Sequence, residues 1–149
     1  GFPPCTAQSC MELLKYYGVN PTGKRAVVIG RSLVIGKPVA MLLTSADATV
    51  TVCHTKTADM PSVARQADIL IAAVGRAESI GPECFRTGQT VIDVGINWSE
   101  EKQKLVGDVN FDAALSVVSA ITPVPAGVGS VTTAVLAAQV VKAAERTAL

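Results

Sequence analysis

The residues best suited to chemistry in this 149-residue chain sit in one loop, Gly30-Arg31-Ser32-Leu33-Val34-Ile35-Gly36-Lys37-Pro38. A guanidinium can fork onto two oxygens of a phosphate while a neighbouring hydroxyl donates a third bond. The frame is G-R-S-x-x-x-G rather than the commoner G-x-G-x-x-G, and the glycines alone would also serve a plain tight turn. The setting adds weight. Val28-Ile29 reads as the end of a strand, and Pro38 suits the first turn of a helix. Where a strand turns into a helix, backbone N–H groups and the positive end of the helix dipole favour an anion.

The second candidate stretch is Val52-Cys53-His54-Thr55-Lys56-Thr57. NAD-binding folds place an acid about 20 residues beyond the glycine loop, where it bonds the ribose 2′-hydroxyl. No carboxylate occurs here before Asp59. Thr55 and Lys56 would attract a 2′-phosphate that an acid would repel, so the residues favour NADP over NAD. His54 is the only histidine. At the end of a second strand it is expected to be structural or close to a ribose rather than an acid–base catalyst. Asp93 and Asp108 are expected to be loop-stabilising acceptors or solvated groups. Cysteines 5, 10, 53 and 84 contain no C-x-x-C pair and, with His54, no recognisable zinc spacing. They are expected to be reduced thiols, and no metal site is expected. No nucleophile elbow or carboxylate pair points to hydrolysis.

These residues need elements to position them, and the apolar pattern supplies a regular set. A helix is expected over about 6–17, with Thr6 as its N-cap and Gly18 as its stop. Strands are expected at 25–29, 48–53, 69–74, 90–94 and 117–122. Helices fall at 38–44, at 59–66 with Asp59 as cap, near 111–115, and from 131 to about 146. Residues 104–106 are expected to lie in a turn-rich stretch. In the last helix Val131, Ala134, Val135, Ala138 and Val141 are expected to share the buried face. Strand starts recur at roughly the 20- to 27-residue period of right-handed βαβ units. The expected fold is α/β, a Rossmann-like doubly wound parallel sheet forming a single domain over 1–149. Residues 1–20 are read as an inter-domain helix and 130–149 as a C-terminal helix.

Composition agrees. Hydrophobic residues make up 49% and charged residues 17%, which opposes disorder and suits strands buried on both faces. The net charge is +1 without a basic stripe, so no nucleic-acid partner is expected. No apolar run reaches the roughly 18 to 20 residues of a membrane span and the first residues show no signal-peptide pattern. The expectation is a soluble cytoplasmic protein without a membrane partner.

Six blocks, in order, then point to one family: Pro4-Cys5-Thr6, GRSLVIGKP from Gly30, Cys53-His54-Thr55-Lys56-Thr57, Asp93-Val94-Gly95-Ile96-Asn97, Gly107-Asp108-Val109, and Thr122-Pro123-Val124-Pro125-Ala126-Gly127-Val128-Gly129. Over nearly all its length the chain resembles the bifunctional methylenetetrahydrofolate dehydrogenase/methenyltetrahydrofolate cyclohydrolases. The resemblance implies an NAD(P)-binding C-terminal domain packed on a catalytic N-terminal one, with folate in the cleft between them. It implies hydride transfer from 5,10-methylenetetrahydrofolate to NADP, hydrolysis of the product to 10-formyltetrahydrofolate, and a part in one-carbon supply to purine biosynthesis. It also implies a homodimer. The cofactor contacts it carries over are Gly30, Arg31, Ser32, Thr55 and Ile96, with Ile96 at the nicotinamide end and the 124–129 loop closing over that side. The sequence departs from the family pattern at Ala7, Thr55, Ala126 and Ser130; the methyl of Ala126 replaces a glycine where unusual φ is expected. The family's catalytic lysine lies in a Y-x-x-x-K motif, and here Asn20 and Pro21 stand four residues after Tyr16 and Tyr17. No catalytic residue is therefore assigned, and the chain, which opens at Gly1-Phe2-Pro3-Pro4, is expected to be the cofactor-binding half, inactive alone. A non-catalytic NADP-binding module, or the cofactor domain of another NADP oxidoreductase such as a shikimate-type dehydrogenase, stays open as an alternative.

Overall fold

Alternating apolar runs and short helices fold as βαβ units in the computed structural model, which describes residues 2–148 and the side chains as far as residue 146. In chain order the elements are α1 (Cys5–Tyr16), β1 (Arg25–Ile29), α2 (Gly36–Ser45), β2 (Thr49–Cys53), α3 (Met60–Arg65) and β3 (Ile69–Ala72). There follow β4 (Thr90–Asp93), β5 (Asn97–Ser99), β6 (Lys104–Val106), α4 (Phe111–Leu115), β7 (Ala120–Ile121) and α5 (Val128–Ala148). The main sheet has the order β2-β1-β3-β4-β7, and every pairing in it is parallel.

The period-two pattern of the central strands divides the core. Ala26 and Val28 face one apolar cluster with Leu14, Leu43, Ile71 and Ile92. Val27 and Ile29 face the other, with Leu70, Val91, Ala64 and Phe85. Residues apolar on both faces can be covered only by helices on both sides, so the doubly wound expectation holds. The strands run 2-1-3-4-5 in the order the chain meets them. The chain therefore leaves β1 towards β2 on one side and crosses to β3 on the other. Ligands of open α/β sheets bind at such a reversal, outside the carboxyl ends of the strands.

Several boundaries differ from the sequence expectations. Pro4, not Thr6, flanks α1 at its N-terminus. Asp59 lies in the left-handed region at φ 47° and makes no side-chain cap to α3. The third strand stops at Ala72, and the last shrinks to Ala120–Ile121 because the N–H groups of Val117 and Val118 bond back to Ala114 at the end of α4. Residues 104–106 are not a turn but a strand, β6, pairing antiparallel with β5. Helix α5 begins at Val128 and presents a face rotated from the one expected. Of the five residues expected on the buried face, Val135 is buried and Val131 half-buried, while Ala134, Ala138 and Val141 are exposed; Val128 is buried and Thr132 and Gln139 half-buried. That face meets the N-terminal segment: Val128 shares an apolar cluster with Ala7, Cys10 and Leu14, Ser9 Oγ lies 3.3 Å from Thr132 Oγ1, and Gln139 Nε2 donates to the Pro3 carbonyl at 3.0 Å.

Candidate functional site

The carboxyl ends of β1, β2 and β3 surround an open cleft of about 440 Å³ at the reversal point of the sheet. Its back wall is built by glycine. Gly30 has φ 118°, donates to the Cys53 carbonyl at 2.8 Å, and lies so close to β3 that a Cβ would run into the Ala73 carbonyl. A Cβ on Gly36 would likewise meet the Gly30 carbonyl. Both glycines are therefore required for backbone packing between strand, turn and helix, beyond any role in a tight turn.

Ser32 closes that turn. Its Oγ accepts the N–H of Ile35 at 3.1 Å and of Gly36 at 3.3 Å, which leaves its own O–H free to donate outward. The side chain of Arg31 is exposed at the rim, and the described ion pairs, Arg86–Asp68 and Lys102–Glu78, do not include it. Across the cleft the β2 turn holds itself. The N–H of His54 donates to Thr57 Oγ1 at 2.8 Å, and the N–H of Lys56 donates to His54 Nδ1 at 3.1 Å. The imidazole is thus occupied with its own backbone turn, and Thr55 is left exposed on the cleft wall.

Four of the five residues singled out from the sequence, Gly30, Arg31, Ser32 and Thr55, meet in this cleft. Ile96 does not line it. It is 58% exposed after β4, where a Cβ on Gly129 at the start of α5 would lie 3.7 Å from its Cδ1. The loop between β7 and α5 passes there. Ala126 in that loop has φ 77°, so the methyl that replaces the family's glycine does sit in a left-handed conformation. The sequence reading missed Arg76, which lines the cleft beside Val74, Met60 and Ile80. The signal was available: Gly75-Arg76 follows the third strand at the same end of the sheet as Gly30-Arg31 follows the first.

Asp93 and Asp108 are acceptors that fix these loops. Asp108 is fully buried; its Oδ2 accepts the N–H of Val74 at 2.7 Å and Gly75 at 3.1 Å, and its Oδ1 accepts Arg76 N–H at 3.1 Å and Asn97 Nδ2 at 2.9 Å. Asp93 Oδ1 accepts from Gly95 at 3.0 Å and Asp108 at 2.9 Å, and Oδ2 accepts from Val109 at 3.0 Å. Burial raises the Asp93 carboxyl above the usual carboxylate range, and those backbone N–H groups oppose the shift. Thr122 Oγ1 accepts the Asp93 N–H at 2.9 Å and ties β4 to the end of β7. The two aspartates are loop keystones rather than solvated groups. Gly95 and Gly107 stand where a Cβ would overlap one carboxylate or the other.

Residues 4–148 match the family model for the NAD(P)-binding domain of tetrahydrofolate dehydrogenase/cyclohydrolase. Among curated relatives, the bifunctional protein FolD of Carboxydothermus hydrogenoformans is 57% identical over 146 residues, which is 97% of this chain and 51% of that protein. Among solved structures, the bifunctional FolD enzyme of Campylobacter jejuni superimposes with a TM-score of 0.95 at 46% identity, over 99% of this chain and 52% of that one. The Trypanosoma brucei dehydrogenase–cyclohydrolase, solved with NADP and an inhibitor, has a TM-score of 0.89 at 43% identity, over 97% of this chain and 51% of that one. The chain thus spans about half the length of the relatives it matches.

Proposed function

Since the chain belongs to the tetrahydrofolate dehydrogenase/cyclohydrolase NAD(P)-binding domain family, we propose that it is the NADP-binding half of an enzyme that oxidises 5,10-methylenetetrahydrofolate and hydrolyses the product to 10-formyltetrahydrofolate. One observation carries the cofactor choice. The cleft at the sheet's reversal point offers Arg31, which is in no ion pair among the described residues, the outward O–H of Ser32 and the hydroxyl of Thr55, and no acid stands between Cys53 and Asp59 to repel a 2′-phosphate. NADP, when bound, supplies the acceptor for the hydride. The chain's residues bind and orient it. Arg31 and Thr55 take the 2′-phosphate. The Gly30–Gly36 turn lets the diphosphate approach the positive end of α2, while the N–H groups of Ile35, Gly36 and Lys37 are held by Ser32. Ile96 and the loop before α5 flank the nicotinamide end.

The folate chemistry needs residues outside this set, because the Y-x-x-x-K of the family is not in this sequence. The chain alone is proposed to bind NADP and turn over no folate. We place the assembled enzyme in the cytoplasm, as a homodimer, supplying one-carbon units to purine biosynthesis. Support for these last points is the family resemblance; no helix among the described residues is long and apolar enough to cross a membrane. Within the domain, residues 2–20 are assigned to the inter-domain segment and the terminal helix begins at Val128; residues 1 and 149 of the expected ranges lie outside the described residues.

Calorimetric titration with NADP and NAD tests the reading. Tighter NADP binding is expected, with Arg31→Ala losing about tenfold on NADP and little on NAD, as for one charge-assisted contact. A clear preference for NAD, or no binding of either, would sink it.

A further inference from the structure

We propose that Arg76 is a second specificity-determining cation, which shares the cofactor's 2′-phosphate with Arg31. This rests on the NADP reading above and adds a residue from a different strand. Arg31 leaves the end of β1 and Arg76 the end of β3. The two strands are neighbours, with Ile29 opposite Ala72, and both arginines line the same cleft. Both side chains are exposed. Neither guanidinium is in a described ion pair, and the nearby Glu78 is engaged by Lys102. Two like charges opening into one cleft repel each other unless an anion lies between them. A phosphate monoester carries close to two negative charges near pH 7, more than one guanidinium neutralises.

The position of Arg76 is built rather than incidental. Its own N–H, with those of Val74 and Gly75, is held by the buried carboxylate of Asp108. The turn that carries the guanidinium is therefore fixed before any ligand arrives, which lowers the ordering cost of binding. That anchor uses only backbone, so changing the side chain leaves the turn intact.

The test is titration of the full chain, Arg76→Gln and Arg76→Lys with NADP, NAD, 2′-AMP and 5′-AMP, with circular dichroism to confirm folding. Arg76→Gln is expected to weaken NADP and 2′-AMP by about tenfold and leave NAD and 5′-AMP within twofold. Arg76→Lys, which keeps the charge but not the fork, should recover part of the loss. Raising the salt should narrow the gap between wild type and Arg76→Gln for NADP only. Equal losses on NADP and NAD would mean that Arg76 acts on the adenine or diphosphate, and would overturn the proposal; so would no loss on either. If the unaltered chain shows no preference for 2′-AMP over 5′-AMP, the NADP reading itself fails. If it shows that preference and Arg76→Gln keeps it, only the role of Arg76 fails.

Discussion

Replacing Asp108 by asparagine tests whether one buried carboxylate sets the cleft's geometry. The side chain is fully buried and accepts four hydrogen bonds, three of them from consecutive backbone N–H groups. Asparagine has nearly the same shape but one acceptor oxygen. With that oxygen towards Arg76 and Asn97, its amide N–H₂ faces the N–H groups of Val74 and Gly75, and two donors meet two donors. Losing two bonds to a charged acceptor, at about 1.5 kcal/mol each, costs about 3 kcal/mol. Flipping the amide only exchanges which pair is lost.

Domains of this size commonly have about 5 to 15 kcal/mol in total, so Asp108→Asn should remain folded but clearly weakened. With a urea slope near 2 kcal/mol per molar, the unfolding midpoint should fall by about 1.5 M at unchanged slope. NADP affinity should fall as well, since Val74 and Arg76 line the cleft. A midpoint shift below about 0.3 M would refute the reasoning, because the four donors would then be satisfied without the carboxylate.

Three further outcomes follow from other parts of the molecule. Gly30→Ala should cost several kcal/mol and remove cofactor binding, because φ 118° and the Ala73 carbonyl both exclude a Cβ; a thermal scan with NADP titration checks it. Asp68 accepts the Arg25 N–H and pairs with Arg86, and these hold its carboxyl below the usual 3.8. Its contribution is therefore present above pH 3.8 and lost as pH falls through the lower folded value, so the stability gap between wild type and Asp68→Asn, followed by Tm, should close towards strong acid. All four cysteines are free; Cys10, Cys53 and Cys84 are buried, and burial pushes the Cys10 thiol to about 12 and Cys84 to about 11. A thiol reagent should label only Cys5 in the native protein and all four in denaturant; rapid native labelling of a second thiol would contradict this packing.

The sheet was legible because its evidence is dense. RAVVI and ILIA cannot be satisfied except between two helical layers, and the glycine loop marks where the first strand turns. What was less legible depends on contacts distant in sequence. The β5–β6 hairpin is two strands of three residues, too short to carry a period. The buried face of α5 is the one that packs on the N-terminal segment, more than 120 residues away, which no helical wheel contains.

The site divides along the same line. Arg31, Ser32 and Thr55 each follow a recognisable strand; Arg76 follows one too, but the turn that carries it is held by Asp108, 32 residues later in the chain. The aspartates were read as loop acceptors from their type alone, but nothing local showed that one carboxylate gathers the ends of β3 and β5. That arrangement makes the cleft a product of two layers of recognition. On the proposed reading the exposed cations choose the ligand, and the buried Asp108 carboxyl fixes the turn that carries one of them. Sequence motifs record the first layer well. The second follows from the hydrogen bonds of backbone N–H groups, which every residue but proline has and no motif can mark.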